Sequence, residues 1–189
     1  MRAIPCKLPG LTVIEPAVYG DERGFFSETY RRSWHSEAGI PEAEEFVQDN
    51  HSRSAHGVVR GLHFHIGSGV AKLVRCGQGQ IVDVAVDLRR GSPTYGRWEG
   101  VELDGESLRE LYVPVGFAHG FCVLSDVADV LYKQTAYYDP AVERGIAWDD
   151  PDIAIAWPLP AAELTVSERD AAAPRLRDVA AELPFVYPV

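Results

Sequence analysis

The sequence predicts an all-β fold, a sandwich or jelly-roll barrel, with helix confined to short peripheral pieces. Residues 72–103, KLVRCGQGQIVDVAVDLRRGSPTYGRWEGVEL, are rich in β-branched and aromatic residues, with Gly77, Gly79, Gly91 and Pro93 as punctuation. Residues 110–140, ELYVPVGFAHGFCVLSDVADVLYKQTAYYDP, repeat the pattern around a turn at SDVAD. Short strands at such spacing build sandwiches and barrels. Only two stretches read as helix: SETYRRSWHSEAG near 27–39 and SERDAAAPRLRDVAAEL near 167–183. In the second, Ser167 is a natural N-cap, and Pro174 interrupts any continuous helix. No repeat or linker divides the chain, and 189 residues suit one domain spanning 1–189.

One strand can be read face by face. In IVDVAVDLR the even positions Val82, Val84, Val86 and Leu88 are apolar, while Ile81, Asp83, Ala85 and Asp87 are mixed. Alternate residues share a face. Either the even face is core and the odd face meets water, or the odd face lines a polar lumen and a second subunit covers the apolar outside. Periodicity alone leaves both open.

Composition narrows the function classes. Hydrophobic content of 46% and charged content of 24% are globular values. A net charge of −10 disfavours nucleic acid and anionic membrane surfaces, which need basic clusters. A small anionic ligand remains open, because a few local arginines or lysines suffice to bind phosphate. The opening residues carry no apolar run of signal-peptide length, and no stretch reaches the roughly 18 residues of a membrane span. A cytoplasmic protein is expected. Cys6, Cys76 and Cys122 form no CxxC pair, so they read as small buried hydrophobes.

The chemistry concentrates in VVRGLHFHIGSGVAK, residues 58–72. Period two puts His63 and His65 on one face of a strand. Downstream, Pro114-x-Gly116-x-x-His119 completes a pair of motifs that resembles the cupin superfamily, whose fold is a jelly-roll barrel. Metal-binding cupins add a glutamate after the histidine pair. Here the first charge after His65 is Lys72, which would repel a divalent cation. The pair therefore reads as part of a metal-free site. A neutral histidine is poised to take a proton near neutral pH. Removing a proton beside a carbonyl leaves an enolate, which a nearby ammonium stabilises. From spacing alone Tyr132 is an aromatic core residue, and an acid only if it lies across the substrate.

Six segments in order carry a more specific resemblance: GDERGFFSETY, FVQDNHSRSAHGVVRGLHF, VDVAVDLRRGSPTYGRW, YVPVGFAHGFCVLSD, VLYKQTAYYDPAVERGIAWDDPDIAIAWP and SERDAAAP. Over almost its whole length the chain resembles the dTDP-4-dehydrorhamnose 3,5-epimerases. The resemblance implies a metal-free, cofactor-free homodimeric cupin that inverts C3 and C5 of dTDP-4-keto-6-deoxy-D-glucose. It makes His63 the base, Asp170 its partner with Asp83 as a rival, and Tyr132 the acid. Lys72 and His119 stabilise the enolate or hold the sugar. Arg23 and Arg60 clamp the diphosphate, Tyr138 stacks on thymine, and Phe26, Glu28, Gln48, Asn50, Glu143 and Arg169 complete the substrate contacts.

Three positions depart from the family pattern. His65 stands where glutamine is usual, IGSGVAK replaces a proline-containing turn, and Arg169 replaces a lysine. Three rival readings follow. One is an epimerase acting at C3 or C5 alone in a modified-deoxysugar pathway; the others are a metal-dependent cupin and a silent nucleotide-sugar binding module.

Overall fold

Strand β8 (Gln80–Asp87) shows how the alternating sequence becomes a barrel wall. Ile81 and Ala85 face inward, into a core shared with Val74, Cys76, Leu111, Phe121 and Val130. Val84, Val86 and Leu88 face outward into a second apolar cluster. Both aspartates of the mixed face, Asp83 and Asp87, are wholly buried. The strand is thus dry on both sides. The computed structural model describes residues 1–41 and 45–188.

Two sheets face each other across the inner core. One orders β1 (Arg2–Pro5), β2 (Thr12–Glu15), β10 (Glu110–Val113), β7 (Lys72–Gln78), β12 (Val127–Gln134) and β5 (Gln48–Ala55). The other orders β13 (Glu143–Gly145), β6 (Val58–His65), β11 (Phe117–Val123), β8 and β9 (Trp98–Asp104). Strand β14 (Thr165–Val166) lies parallel to the start of β6. The neighbours β6, β11 and β8 are far apart in sequence and antiparallel, which is the jelly-roll arrangement expected. Among the described residues, β3 (Val18–Asp21) and β4 (Gly24–Ser27) form a separate two-stranded hairpin.

The outer face of β8 corrects the expectation of a subunit contact there: Ile153, Leu176, Leu183 and Phe185 of the same chain pack over it. This C-terminal segment lies across the barrel like a strap. Phe185 meets Phe64 edge to face, with centroids 6.3 Å apart. Asp87 keeps its buried charge because Arg89, Ser92 and Thr94 all donate to it. A buried carboxylate without such donors would be strongly unfavourable.

Helix is sparse, as expected, and shorter than the sequence suggests. Helix α1 covers Arg32–Glu37 rather than 27–39. Ser27 belongs to β4, and Gly39 ends the helix with a φ of +86°. The second helical stretch splits into α2 (Glu168–Ala171) and α3 (Leu176–Val179), with Pro174 in the gap. The Ser167 hydroxyl accepts from Asp170 N–H at 3.1 Å, so the expected N-cap is present.

Candidate active site

A cavity of about 470 Å³ opens at one end of the barrel between β6, β11, β7, β12 and the start of α2. Its geometry depends on an irregularity in the pairing of β6 with β11. His63 lies opposite His119, but Arg60 lies opposite Phe121, so β6 carries one extra residue there. Gly61 absorbs it with a φ of +112°. A Cβ at Gly61 would stand 2.6 Å from the His119 carbonyl oxygen and 2.7 Å from Gly120 Cα. Such bulges re-aim the side chains that follow.

His63 Nε2 lies 2.7 Å from Asp170 Oδ1, and Gly61 N–H donates to the other oxygen at 3.2 Å. Burial pushes the Asp170 carboxyl up, but the bond from His63 and that from Gly61 N–H oppose this, and the carboxyl is held below the usual carboxylate range. An ionised carboxylate only accepts, so Nε2 carries a proton, and in a neutral imidazole that leaves the lone pair on Nδ1. The structure thus pairs His63 with Asp170, and the rival Asp83 belongs elsewhere.

Asp83 serves His119: both its oxygens lie 2.9 Å from Nε2. The other imidazole nitrogen, Nδ1, is 3.4 Å from Lys72 Nζ. Burial pushes Lys72 down to about 8, against the opposing charges of Glu143 and Asp83. Its ammonium also lies 5.8 Å from the Tyr132 ring centroid. Burial, with Glu143, raises the Tyr132 phenol above its ordinary value, so it is a protonated donor at neutral pH.

The rim holds Arg60, Tyr138, Glu143 and Arg169, all lining the same cavity. Arg60 is fixed by a 2.9 Å bond from Nε to Ser54 Oγ. Arg169 and Glu143 form an ion pair with each other. His65 is buried beside Glu143 in the register of β13 against β6. Burial and then Lys72 lower its basicity, so the imidazole is neutral. The sequence reading missed Ser52, whose buried hydroxyl has no hydrogen-bond partner and lines the cavity. Its signal was the period of β5, where even positions share the Asn50 face.

Five expected site residues stand apart from this cavity. Arg23 bonds Asp21 at the hairpin tip, Phe26 is 70% exposed on β4, and Glu28 pairs with Arg31 at 2.6 Å. The physical reason is that, among the described residues, β3 and β4 form a two-stranded sheet of their own, so the hairpin carries these side chains clear of the barrel. Gln48 and Asn50 are occupied with each other: Gln48 Nε2 donates to Asn50 Oδ1 at 2.8 Å and Oε1 accepts from Tyr138 N–H at 2.9 Å. They support the Tyr138 loop at the cavity's edge. Among the described residues, no three His, Cys, Asp or Glu side chains converge as metal ligands.

A base with an oriented proton, a buried ammonium and a phenol around one cavity are the equipment for moving protons beside a carbonyl. Residues 5–178 match the family model of dTDP-4-dehydrorhamnose 3,5-epimerase. The Pseudomonas aeruginosa enzyme of that name is 52% identical over 171 residues, covering 90% of this chain and 93% of the relative. A dTDP-4-dehydrorhamnose 3-epimerase from Streptomyces niveus is 44% identical, over 90% of this chain and 83% of the relative. The crystal structure of the Legionella pneumophila 3,5-epimerase with dTDP-4-keto-L-rhamnose superposes with a TM-score of 0.93 at 47% identity, covering 100% of this chain and 99% of that one. With its jelly-roll barrel and its paired histidine dyads, this chain belongs to the dTDP-4-dehydrorhamnose 3,5-epimerase family of isomerases.

Proposed function

We propose that the protein inverts C3 and C5 of dTDP-4-keto-6-deoxy-D-glucose to give dTDP-4-keto-L-rhamnose, a step of dTDP-L-rhamnose biosynthesis. The observation that carries this reading is the His63–Asp170 pair in one cavity with Lys72 and Tyr132. His63 Nδ1 takes the proton from the carbon next to the C4 ketone, and the electron pair moves onto O4. Lys72 balances the enolate charge; one such donor is worth about 3–4 kcal/mol of barrier. Tyr132 returns a proton to the opposite face, and the centre is inverted. Arg60 and Arg169 supply positive charge at the cavity rim for the diphosphate, and Tyr138 supplies the ring for the thymine.

The hairpin supports a homodimer. Val18, Tyr19, Phe25 and Phe26 are all exposed on two strands with no third. An isolated two-stranded hairpin is marginal in water and needs cover. A second copy of the chain would supply it, and Arg23, Phe26 and Glu28 would contact substrate only from that setting. A cytoplasmic location fits a nucleotide-sugar substrate. Among the described residues, no helix is long and apolar enough to cross a membrane.

Incubation with dTDP-4-keto-6-deoxy-D-glucose in D₂O, followed by NMR, tests the reading. Deuterium at both C3 and C5, abolished in His63→Ala, is the expected result. Deuterium at C3 alone moves the protein to the single-centre epimerases, the class of the Streptomyces niveus relative. No exchange with the nucleotide sugar still bound overturns the catalytic reading.

A further inference from the structure

Among the described residues, His63 with Asp170 is one of two histidine–aspartate pairs whose histidine lines the cavity. The second pair, His119 with Asp83, faces the same cavity, yet its geometry unfits it to act as a second base. Asp83 is wholly buried on β8, and both oxygens lie 2.9 Å from His119 Nε2. Because an ionised carboxylate only accepts, Nε2 must carry a proton. The lone pair then sits on Nδ1, and Nδ1 is met by Lys72 Nζ at 3.4 Å.

We propose that Asp83 is a positioning residue that acts through His119, fixing the imidazole with its proton on Nε2 so that Nδ1 accepts from Lys72 and holds the ammonium at the cavity. This inference rests on the epimerase reading for its catalytic meaning, though not for its geometry. An imidazolium at His119 would put an N–H against the ammonium, donor to donor. The arrangement therefore holds a single proton between Nδ1 and Nζ, and the burial of His119 keeps that proton on Lys72. Two of the three ammonium hydrogens remain free for an oxygen in the cavity.

The charge balance is local. Lys72 is faced by Glu143 from β13, Asp83 from β8, His119 from β11, His65 from β6 and Tyr132 from β12. Glu143 is already paired with Arg169. Among the described residues, the ion pair of Asp83 is the one with His119. Removing its charge leaves the ammonium in a desolvated site with less to balance it, so Lys72 gives up its proton more readily. The sign is definite: a lysine whose basicity falls loses its charge at lower pH.

The first test needs no variant and no substrate. Nitrogen-15 NMR of the unaltered protein should show His119 protonated at Nε2 and bare at Nδ1; a proton on Nδ1 overturns the proposal. In Asp83→Asn, the titration of Lys72 followed through its Cε should move to lower pH, from a starting midpoint of about 8. An unchanged titration overturns it. With substrate, the alkaline limb of kcat for deuterium exchange should move the same way, and kcat should fall, by up to the roughly 10⁴-fold lost when another tautomer-fixing aspartate becomes asparagine. The same substitution made in a Lys72→Ala protein should cost little more, because two residues acting through one group are not additive. A full second loss there assigns Asp83 a merely structural role. Failure of exchange in the unaltered protein sinks the epimerase reading, while the two NMR readouts judge the positioning role by themselves.

Discussion

His63 and His119 face each other across β6 and β11, and each has a carboxylate on one nitrogen. They differ in what meets the other nitrogen. Nδ1 of His119 meets Lys72, whereas Nδ1 of His63 keeps its lone pair for the substrate. Asp170→Asn is expected to remove the charge that holds the His63 tautomer and stabilises its imidazolium. The expected outcome is a fall in kcat of about 10²–10⁴-fold, the range that a general base contributes, with far-UV circular dichroism unchanged. A loss in KM alone would place Asp170 in substrate binding instead. The family resemblance offered this pairing with Asp83 as a rival, but spacing alone could not choose between the two carboxylates. Asp170 lies 107 positions from His63, and only the Ser167 cap and the Gly61 N–H bring its oxygens to the ring. Asp83 sits on the barrel-facing side of a strand, as its alternation suggested, yet which histidine it meets is a matter of cross-strand register.

At the scale of the element, the site depends on a bulge that alternation alone does not reveal. Gly61 has a φ of +112° and backbone from β11 within 2.7 Å of where a Cβ would be. Gly61→Ala meets both a left-handed conformation and backbone that cannot move aside. Strain of this kind costs about 1–3 kcal/mol, and the clash adds to it. Urea unfolding should show that loss, and the His63 ring should lose its bond to Asp170. A variant with unchanged stability and rate would show that the bulge is not needed. The strands and the second helix pair were readable because period two, Ser167 and Pro174 act locally. Helix α1 was overextended because SETYRR favours helix, while pairing of Ser27 with Val18 takes its start into a hairpin. Tertiary context decided that boundary.

For the whole molecule, the question is which apolar faces the chain covers for itself. The outer face of β8 is covered by Leu176, Leu183 and Phe185, so it provides no interface. Alternation could not distinguish that outcome from a subunit contact, since the covering residues lie about ninety positions downstream in a segment without regular period. The hairpin is the opposite case. Phe26, 70% exposed, pairs across the hairpin with Tyr19, 66% exposed, and forms an aromatic patch with it, while Phe25, 62% exposed, points to the opposite face of the same two-stranded element. Single exposed apolar residues are ordinary, but a contiguous patch marks an interaction surface. Arg23 at the tip adds a charge that can serve a diphosphate once the hairpin is seated. Light scattering at micromolar concentration should therefore give twice the chain mass. The double variant Phe25→Ser, Phe26→Ser should shift it toward one chain, because it removes an exposed ring from each face of the hairpin without touching the barrel core. If the hairpin brings Arg23 to a second copy's cavity, that variant should also raise KM for the nucleotide sugar while the His63–Asp170 geometry persists. A protein that is monomeric from the outset, with full exchange at C3 and C5, would show that the barrel works alone and that Arg23, Phe26 and Glu28 have no part in binding.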